Sequence, residues 1–390
     1  MNSLAGALVL IAAFATAVGT TRGLLRTMSH HRWRRHERSP HRQLIPRGGG
    51  LGVLAGIAAG LLLCRWFGFP IPEPALMVGA LLVALVSSAD DYFGGIPLAP
   101  RLIVHLVAAG LVVFHAGELA QLPLPAPANL STGILSAPLA IIWIVGVTNL
   151  YNFLDGIDGS AACQGIIAGL ASSLLFPNTG IASAGLAIAG ACGGFLVFNW
   201  HPARIYLGDV GSITLGFIFA SLPFQAQSYG RGRSTFLVAI CLWVFLADGA
   251  FTLMRRLSRG EKIWIPHLSH IYQRLAKMGL RHDEVVLTTL AFSVPITILA
   301  VVAGTRQSAA LDWGVFALAF ASFAGYVLLA VRMESRALSR PQGHPTESMR
   351  SRSDGSSRGE SREDFGPPRE NVVNSMPRRE DPPIGGKATR

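Results

Sequence analysis

The chain has 390 residues and a net charge of +11, and 51% of its residues are hydrophobic while only 14% are charged. A soluble domain carries about 25% charged residues, so this composition excludes an ordinary soluble protein, and we expect no nucleic-acid partner despite the positive charge. Apolar stretches recur from end to end, and about 20 residues suffice for a helix to cross a bilayer. The composition therefore predicts an all-α, polytopic transmembrane helical bundle.

About eleven apolar spans follow one another along the chain, judged by the length of helix that crosses a bilayer. They lie near residues 2–20, 48–64, 75–89, 102–119, 135–150, 160–177, 181–199, 211–225, 235–254, 286–304 and 312–332. With ten or eleven spans, residues 1–333 are predicted to form one transmembrane domain. Residues 334–390 lack aliphatic runs that could be buried, so they are predicted to form a disordered cytoplasmic tail.

Basic residues are distributed unevenly among the connecting segments. Eight arginines lie in residues 21–47 and seven Arg or Lys residues lie in 255–285. The alternate connections, which lie on the other side of the predicted membrane, carry four arginines. Cytoplasmic loops of membrane proteins carry the excess of Lys and Arg. The two basic segments are therefore predicted to face the cytoplasm, which places the N-terminus outside and the C-terminus inside.

The first polar group in chain order is the pair Asp90–Asp91, which follows an apolar run. Adjacent carboxylates at a helix end repel each other unless a cation lies nearby. The pair indicates either a Mg²⁺ or proton-abstraction site or, as the alternative, a solvated helix end.

The second group lies in the sequence NLYNFLDGIDG, where Asn149, Asn152, Asp155 and Asp158 are three residues apart. If a helix continues through this segment, the spacing places the four side chains along one stripe. An ordinary turn between two spans is the alternative interpretation.

The third group lies in NWHPARIYLGDVGS, which connects two spans. Asp209 is flanked by glycines before a new helix, where backbone N–H groups can bind phosphate. Tyr206 offers a ring for stacking on a base, and Arg204 offers a bidentate phosphate contact. The alternative is a simple helix N-cap.

The fourth group lies in PHLSHIYQR within the second basic segment, and it contains His267, His270 and Arg274. A zinc site is not favoured because no matching third ligand is nearby in the sequence. Phosphate contacts fit the adjacent arginine better, and an amphipathic interfacial helix remains the alternative. Asp248, near the inner end of a span, is predicted to pair with Arg255 or Arg256.

Together with the segment Pro46-Arg47-Gly48-Gly49-Gly50, these motifs occur in an order that resembles the polyprenyl-phosphate N-acetylhexosamine-1-phosphate transferases, glycosyltransferase family 4. The resemblance runs from Pro46 to the last span. The pattern His-x-x-His-x-Tyr-Gln-Arg is most similar to the O-antigen-initiating branch that acts on FucNAc, QuiNAc or GlcNAc. A GlcNAc-1-phosphate transferase for another envelope polymer is the runner-up.

The resemblance implies an enzyme of the bacterial inner membrane with its active site facing the cytoplasm. It implies transfer of an N-acetylhexosamine-1-phosphate from a UDP-sugar to undecaprenyl phosphate with release of UMP, as the first step of a lipopolysaccharide glycan. It also implies a homodimer as one arrangement. A transporter or flippase is the alternative from another class, although transport sites usually lie near the bilayer midplane. A membrane scaffold is a third interpretation.

The resemblance also assigns residue roles. Mg²⁺, with Mn²⁺ as a substitute, is expected on Asp209 first and Asp91 second, and Asp90 is expected beside the lipid phosphate. The remaining assignments are substrate contacts, in which Tyr206 stacks on uracil and the others hold the sugar nucleotide or its phosphates: Asn149, Asn152, Asp155, Asp158, Arg204, His267, His270, Arg274, Arg101 and Arg47.

Overall fold

A computed structural model describes residues 3–28, 45–227, 234–262, 268–306 and 308–338. These residues form helices without strands, apart from one isolated antiparallel bridge between Gln121 and Ser131. The helices are α1 Ser3–Met28, α2 Gly50–Trp66, α3 Pro74–Phe93, α4 Leu98–Ala116, α5 Ser136–Phe153, α6 Ser160–Leu175, α7 Gly180–Asn199, α8 Asp209–Gln227, α9 Ser234–Cys241, α10 Trp243–Ser258, α11 Ile271–Lys277, α12 His282–Arg306 and α13 Ala309–Leu338, with a short 3₁₀ turn at Gly133–Leu135 before α5. The predicted all-α, polytopic architecture is confirmed.

Each predicted span coincides with a helix, except that residues 235–254 form the pair α9 and α10, which is bent by 82°. Within the described part of the chain, seven helices are long and apolar enough to cross a membrane, or eight if the bent pair counts as one span. By length and composition alone, this number is lower than the ten or eleven spans predicted. The difference arises because α2 and α6 are short and because α8 carries several polar residues among its apolar ones.

Helix α8 lies at the centre of the bundle, where it packs against α3 and α5 and also contacts α2, α4 and α9. Its side chains are buried almost all round, from Val210 to Ala226. A helix surrounded by other helices does not need the lipid-facing apolar surface of a peripheral span. The central position of α8 fixes the place of its first residue, Asp209.

Small residues let α1, α2 and α7 approach one another closely. A Cβ atom added at Gly190 or at Gly194 would lie 2.3 Å from the carbonyl oxygen of Leu10 or of Phe14, respectively. Membrane helices associate through such small-residue contacts because lipid provides no hydrophobic driving force between them. Replacing either glycine would therefore separate α1 from α7.

The last helix continues past the predicted end of the transmembrane domain at residue 333. Helix α13 runs to Leu338, and its Glu334 forms an ion pair with Arg274. Residues 339–390 lie outside the described residues. The division of the chain into residues 1–333 and 334–390 stays a prediction.

Candidate active site

The site begins with a short backbone pairing between the segment before α2 and the segment before α8. The Tyr206 amide donates to the Pro46 carbonyl at 2.9 Å, the Gly49 amide donates to the Tyr206 carbonyl at 2.9 Å, and the Gly50 amide donates to Leu207 at 2.8 Å. A Cβ atom at Gly50 would lie 2.3 Å from the backbone nitrogen of Gly211, so this approach requires glycine. The pairing holds the segment with Arg47 against the first turn of α8.

Asp91, at the end of α3, caps the N-terminus of α8. Its Oδ1 accepts the Asp209 amide at 3.2 Å and its Oδ2 accepts the Val210 amide at 3.0 Å. The first amides of a helix have no partner within the helix. They form the positive end of the helix dipole, which attracts an anion. Gly208 before them adopts φ +76°, and a Cβ there would lie 2.5 Å from Asp91 Oδ2. Both oxygens of Asp91 are thus engaged by backbone donors.

Arg101, in the first turn of α4, connects the other two acidic residues. Its Nη1 donates to Asp90 Oδ2 at 2.6 Å and its Nη2 donates to Asp209 Oδ2 at 2.7 Å. Asp90 Oδ1 also accepts the Ile96 amide at 2.8 Å. The Arg101 side chain is 20% exposed, with 12% for Asp90 and 26% for Asp209. Charge-assisted bonds of this length are strong and directional, so Arg101 fixes the two carboxylates relative to each other.

Asp155 lies just beyond the end of α5 and completes the acidic group. Its carboxylate is half-buried and accepts no hydrogen bond from any residue that the structure describes. Burial raises the pKa of Asp155 well above its usual value, the charges of Asp209, Asp91 and Asp158 raise it further, and Arg47 opposes them. These charges therefore surround Asp155, where a positive ligand would be stabilised.

The predicted stripe of four polar side chains does not form, because α5 ends at Phe153 and the next residues form a loop. Asn149 donates within its own helix to the Val145 carbonyl at 2.7 Å. Asn152 points toward α8, since its Oδ1 accepts a hydrogen bond from Ser212 Oγ of that helix at 2.6 Å. Only Asn152 and Asp155 of the predicted stripe therefore face the start of α8.

Asp158 belongs to a different cluster. His201 Nδ1 lies 2.7 Å from its Oδ2, His282 Nδ1 lies 3.2 Å from the same oxygen, and the Ala203 amide donates to it at 3.2 Å. Burial alone would raise the pKa of Asp158, but these hydrogen bonds from His282, His201 and Ala203 outweigh it and lower the pKa to about 2. The carboxylate is therefore ionised at neutral pH.

The fourth motif contacts the site through α11. The Tyr272 hydroxyl donates to the Phe153 carbonyl at 2.9 Å, and Gly156 has no room for a Cβ because this hydroxyl would lie 2.0 Å away. Arg274 forms a bidentate ion pair with Glu334 of α13, its Nε donating at 2.6 Å. His270 is buried beside Asp248, and His267 lies outside the described residues. The contact of α11 with the Asp155 loop is thus made by Tyr272.

The predicted pairing of Asp248 with Arg255 or Arg256 is wrong. Asp248 Oδ1 accepts the Ile271 amide at 2.9 Å and its Oδ2 accepts the Tyr272 amide at 3.2 Å. Asp248 therefore caps the N-terminus of α11, because the unpaired amides there need an acceptor. Arg255 donates instead to the Ser269 carbonyl, and Arg256 donates to the Lys262 carbonyl and forms an ion pair with Glu261.

Arg204 and Tyr206 show different environments. The Arg204 guanidinium lies 4.8 Å from the centre of the Phe198 ring and donates to the Val197 carbonyl at 3.0 Å. It lines a groove of about 560 Å³ with Arg22 and Arg26. Tyr206 is half-buried next to the backbone pairing described above. Arg204 therefore has its described contacts in this groove, while Tyr206 lies in the segment that leads to Asp209.

The structure brings together four predicted carboxylates and two predicted arginines where α3 and α5 end and α4 and α8 begin. They are Asp90, Asp91, Asp155, Asp209, Arg47 and Arg101. Sequence reasoning did not select Ser212, His201 or His282 as site residues. His201 lies within the third motif and was a visible signal, whereas nothing in the sequence links His282 to Asp158.

Two acidic groups have the chemistry to hold a divalent cation. Asp209 Oδ1 has no hydrogen-bond partner within the described ranges, and the same holds for the Asp155 carboxylate. Mg²⁺ binds oxygen ligands and takes one or two carboxylates while keeping several waters. The donor set therefore fits Mg²⁺, with Asp209 and Asp155 better placed as ligands than Asp91, whose oxygens cap α8.

The fold and the site define a polytopic membrane protein with a charged site at the ends of its helices. The profile of Glycosyl transferase family 4 matches residues 74–227. The chain is 30% identical over 275 residues to a Bacillus subtilis protein named "Probable undecaprenyl-phosphate N-acetylglucosaminyl 1-phosphate transferase", covering 68% of this chain and 75% of that protein. The chain therefore belongs to glycosyl transferase family 4, the superfamily of polyprenyl-phosphate hexosamine-1-phosphate transferases.

Two further relatives support the same membership. A Mycobacterium leprae protein named "Decaprenyl-phosphate N-acetylglucosaminephosphotransferase" is 28% identical over 316 residues, which cover 71% of this chain and 77% of the relative. A Desulfotalea psychrophila protein named "Phospho-N-acetylmuramoyl-pentapeptide-transferase" is 28% identical over 292 residues, which cover 66% of this chain and 79% of the relative. The relatives thus carry two different sugar groups in their names.

Proposed function

We propose that this protein transfers an N-acetylhexosamine-1-phosphate from a UDP-sugar to a polyprenyl phosphate, with release of UMP. The observation that carries the proposal is the group of Asp90, Asp155 and Asp209 with Arg101, which lies where α3 and α5 end and α4 and α8 begin. Such a site suits a reaction in which both the attacking and the leaving groups are phosphates. Family membership and the names of the relatives give independent support.

The chemistry requires positioning and charge neutralisation more than covalent catalysis. When bound, Mg²⁺ would neutralise charge on the departing phosphate. Asp209 and Asp155 would hold it, and Arg101 would keep Asp209 in place through its 2.7 Å hydrogen bond. Arg47, which is exposed and whose charge acts on Asp155, is suited to contact the diphosphate.

Asp90 is better suited to orientation than to proton abstraction. A phosphate monoester has its second pKa at about 6, so the acceptor is already largely ionised at neutral pH and needs no strong base. In the structure Asp90 accepts hydrogen bonds from Arg101 and from the Ile96 amide. We therefore assign Asp90 to holding Arg101 beside the lipid phosphate.

On the nucleotide side, we propose that Tyr206 stacks on uracil and that Asn152 contacts the nucleotide. Asn152 is held by Ser212 Oγ at 2.6 Å, which orients its amide toward the start of α8. The remaining predicted substrate contacts are Asn149, Asp158, Arg204, His267, His270 and Arg274. Arg274 would have to release Glu334 before it contacts phosphate, since both groups are bonded to each other.

The identity of the transferred sugar is the more specific part of the proposal. We propose an N-acetylhexosamine such as FucNAc, QuiNAc or GlcNAc for the first sugar of an O-antigen-type glycan, on the basis of the His-x-x-His-x-Tyr-Gln-Arg pattern. The names of the relatives favour GlcNAc-1-phosphate over the other two sugars. A panel of UDP-N-acetylhexosamines with undecaprenyl phosphate and Mg²⁺ separates these alternatives, because the best substrate gives the highest kcat/KM.

The test of the reaction is release of labelled UMP by the purified protein in detergent, with polyprenyl phosphate and Mg²⁺ present and omitted in turn. We expect UMP only when the lipid, the UDP-sugar and the divalent cation are all present. A transporter or flippase releases none. Absence of UMP with every UDP-N-acetylhexosamine would therefore contradict the proposal.

We also propose that the site faces the cytoplasm of the inner membrane. Ser258 is the last residue of α10 and lies in the basic segment, Ser131 lies in the connection between α4 and α5, and both are exposed. The four native cysteines are buried, which keeps the labelling background low. In intact spheroplasts, a membrane-impermeant thiol reagent should label Ser131→Cys and not Ser258→Cys. The opposite pattern would reverse the orientation.

A further inference from the structure

A second group of ligand-type side chains lies outside the acidic group of Asp90, Asp91, Asp155 and Asp209. Asp158 comes from the loop after α5, His201 from the connection between α7 and α8, and His282 from the first residue of α12. One ligand atom from each of the three residues lies within 4.8 Å of the other two. Three segments that are distant in the sequence therefore present a carboxylate and two imidazoles to one point.

The distances are close to those of a bound cation. His201 Nδ1 and His282 Nδ1 lie 2.7 Å and 3.2 Å from Asp158 Oδ2. In a tetrahedral zinc site with bonds of about 2.1 Å, neighbouring ligand atoms are about 3.4 Å apart. Each histidine nitrogen would need to move less than about 1 Å away from Asp158 Oδ2 to accept a zinc-sized ion, and the ligand atoms of the two histidines lie within 4.8 Å of each other. Such a movement is within the range of a side-chain rotation.

Surrounding hydrogen bonds hold the segments in place, and the Asp158 amide itself donates to His282 Nδ1 at 3.3 Å. The Gly159 amide donates to Asn199 Oδ1 at 2.9 Å, and Asn199 Nδ2 donates to the Ile205 carbonyl at 2.9 Å. The Ala203 amide donates to Asp158 Oδ2 at 3.2 Å. Outer contacts of this kind orient the ligands of metal sites. The Asp158 and His201 segments are therefore fixed relative to each other.

The kind of metal ion that this cluster would bind follows from its donor atoms and their exposure. Two imidazole nitrogens and one carboxylate oxygen favour Zn²⁺, Co²⁺ or Ni²⁺, whereas Mg²⁺ prefers oxygen alone. The Asp158 side chain is 8% exposed, but those of His201 and His282 are 27% and 22% exposed. The cluster is therefore open on the histidine side, which leaves a coordination position for water or another ligand.

We propose that Asp158, His201 and His282 bind one divalent transition-metal ion of the zinc class, separate from the proposed Mg²⁺ on Asp209 and Asp155. The ion would join the loop after α5, the connection before α8 and the start of α12. A His–Asp hydrogen-bond network without metal is the competing outcome. The proposal shares Asp158 with the predicted substrate contacts, whereas His201 and His282 lie outside them, so the test changes the two histidines.

The test is a Co²⁺ titration of the full chain, purified without a histidine tag and treated with chelator, in excess Mg²⁺ to fill oxygen-only sites. The chain has eleven histidines, so the number of bound ions must be compared between variants rather than read from the wild type alone. We expect His201→Asn and His282→Asn each to lose one Co²⁺ equivalent and its visible absorption band. His115→Asn, a matched change at an exposed histidine of α4, should lose neither.

Two further variants keep the proposal falsifiable. His282→Cys retains a metal ligand, so at one equivalent of Co²⁺ the folded variant should show a new sulfur-to-metal charge-transfer band, which the wild type, whose four native cysteines are buried, should not show. Asp209→Asn should retain the Co²⁺ band even though transfer is lost, which separates this proposal from the proposed function. Equal Co²⁺ stoichiometry and spectra in wild type, His201→Asn and His282→Asn would overturn the proposal, as would a His282→Cys variant that folds without the new band.

Discussion

Arg101 provides the sharpest test of the proposed active site because, among the described residues, it is the one side chain bonded to both Asp90 and Asp209. Its two charge-assisted hydrogen bonds measure 2.6 and 2.7 Å, and its side chain is only 20% exposed. A hydrogen bond to a charged group contributes about 1.5–3 kcal/mol. Losing both, at the lower value for partly exposed groups, removes about 3 kcal/mol. If this energy positions Asp209 in the transition state, Arg101→Gln should lower kcat/KM about 100-fold.

Arg101→Lys separates positioning from charge. An ammonium group is a compact point charge that lacks the fork needed to bond two carboxylates in fixed directions. We expect Arg101→Lys to retain one of the two bonds and to lose about tenfold in kcat/KM, since one such bond is about 1.5 kcal/mol. The assay is release of labelled UMP at saturating and at limiting UDP-sugar and Mg²⁺.

Arg65→Gln is the matched control. Arg65 is an exposed arginine near the C-terminal end of α2, whereas the first residue of that helix, Gly50, lies at the site. It should behave as the wild type in the same assay. A fully active Arg101→Gln variant would refute the bridging role. Equal activity of Arg101→Lys and the wild type would show that charge alone, without the two directed bonds, is sufficient.

Three other predictions concern the acidic group and the nucleotide. Asp209→Asn should reduce transfer by orders of magnitude while the protein still inserts in the membrane, and near-normal UMP release would remove Asp209 from the mechanism. Tyr206→Ala should raise KM for the UDP-sugar more than it lowers kcat, and the reverse pattern would argue against stacking on uracil. Asp155→Asn should raise the Tm of Mg²⁺-free protein, by an amount that grows as the pH rises. The sign follows because the pKa of Asp155 is raised in the fold, so its ionisation destabilises the folded state above the pKa of the unfolded chain. A Tm difference that is independent of pH would contradict this explanation.

Much of the fold follows from hydrophobic patterning, and the predicted spans coincide with helices. What patterning does not predict is which helices are central. Helix α8 is predicted as a span like the others, yet it is buried all round and its polar residues lie inside the bundle. The bend between α9 and α10 also lies within a continuous apolar run. Both features depend on packing between distant segments, which a local pattern does not contain.

The candidate site shows the same division between local and distant information. The sequence indicated Asp90, Asp91, Asp155 and Asp209 because carboxylates next to apolar spans are costly and therefore informative. It did not distinguish their contacts. Asp91 caps α8 through backbone amides of Asp209 and Val210, which only a folded chain brings to the end of α3. The helix that would have aligned Asp155 and Asp158 ends first, so these two carboxylates belong to different clusters.

The charge balance of the acidic group explains why a divalent cation suits it. Its members are Asp90, Asp91, Asp155 and Asp209 with Arg47 and Arg101, so four negative charges face two positive ones and the ionised group has a net charge of −2. Such an excess is costly in a partly buried site. Burial and the charges of Asp209 and Asp91 raise the pKa of Asp155, which favours a proton at this position. A divalent ion on Asp209 and Asp155 would replace that proton and bring the group to neutrality. Because the diphosphate of a UDP-sugar brings further negative charge, the cation and the nucleotide should bind with positive cooperativity, and Asp155→Asn should weaken this coupling.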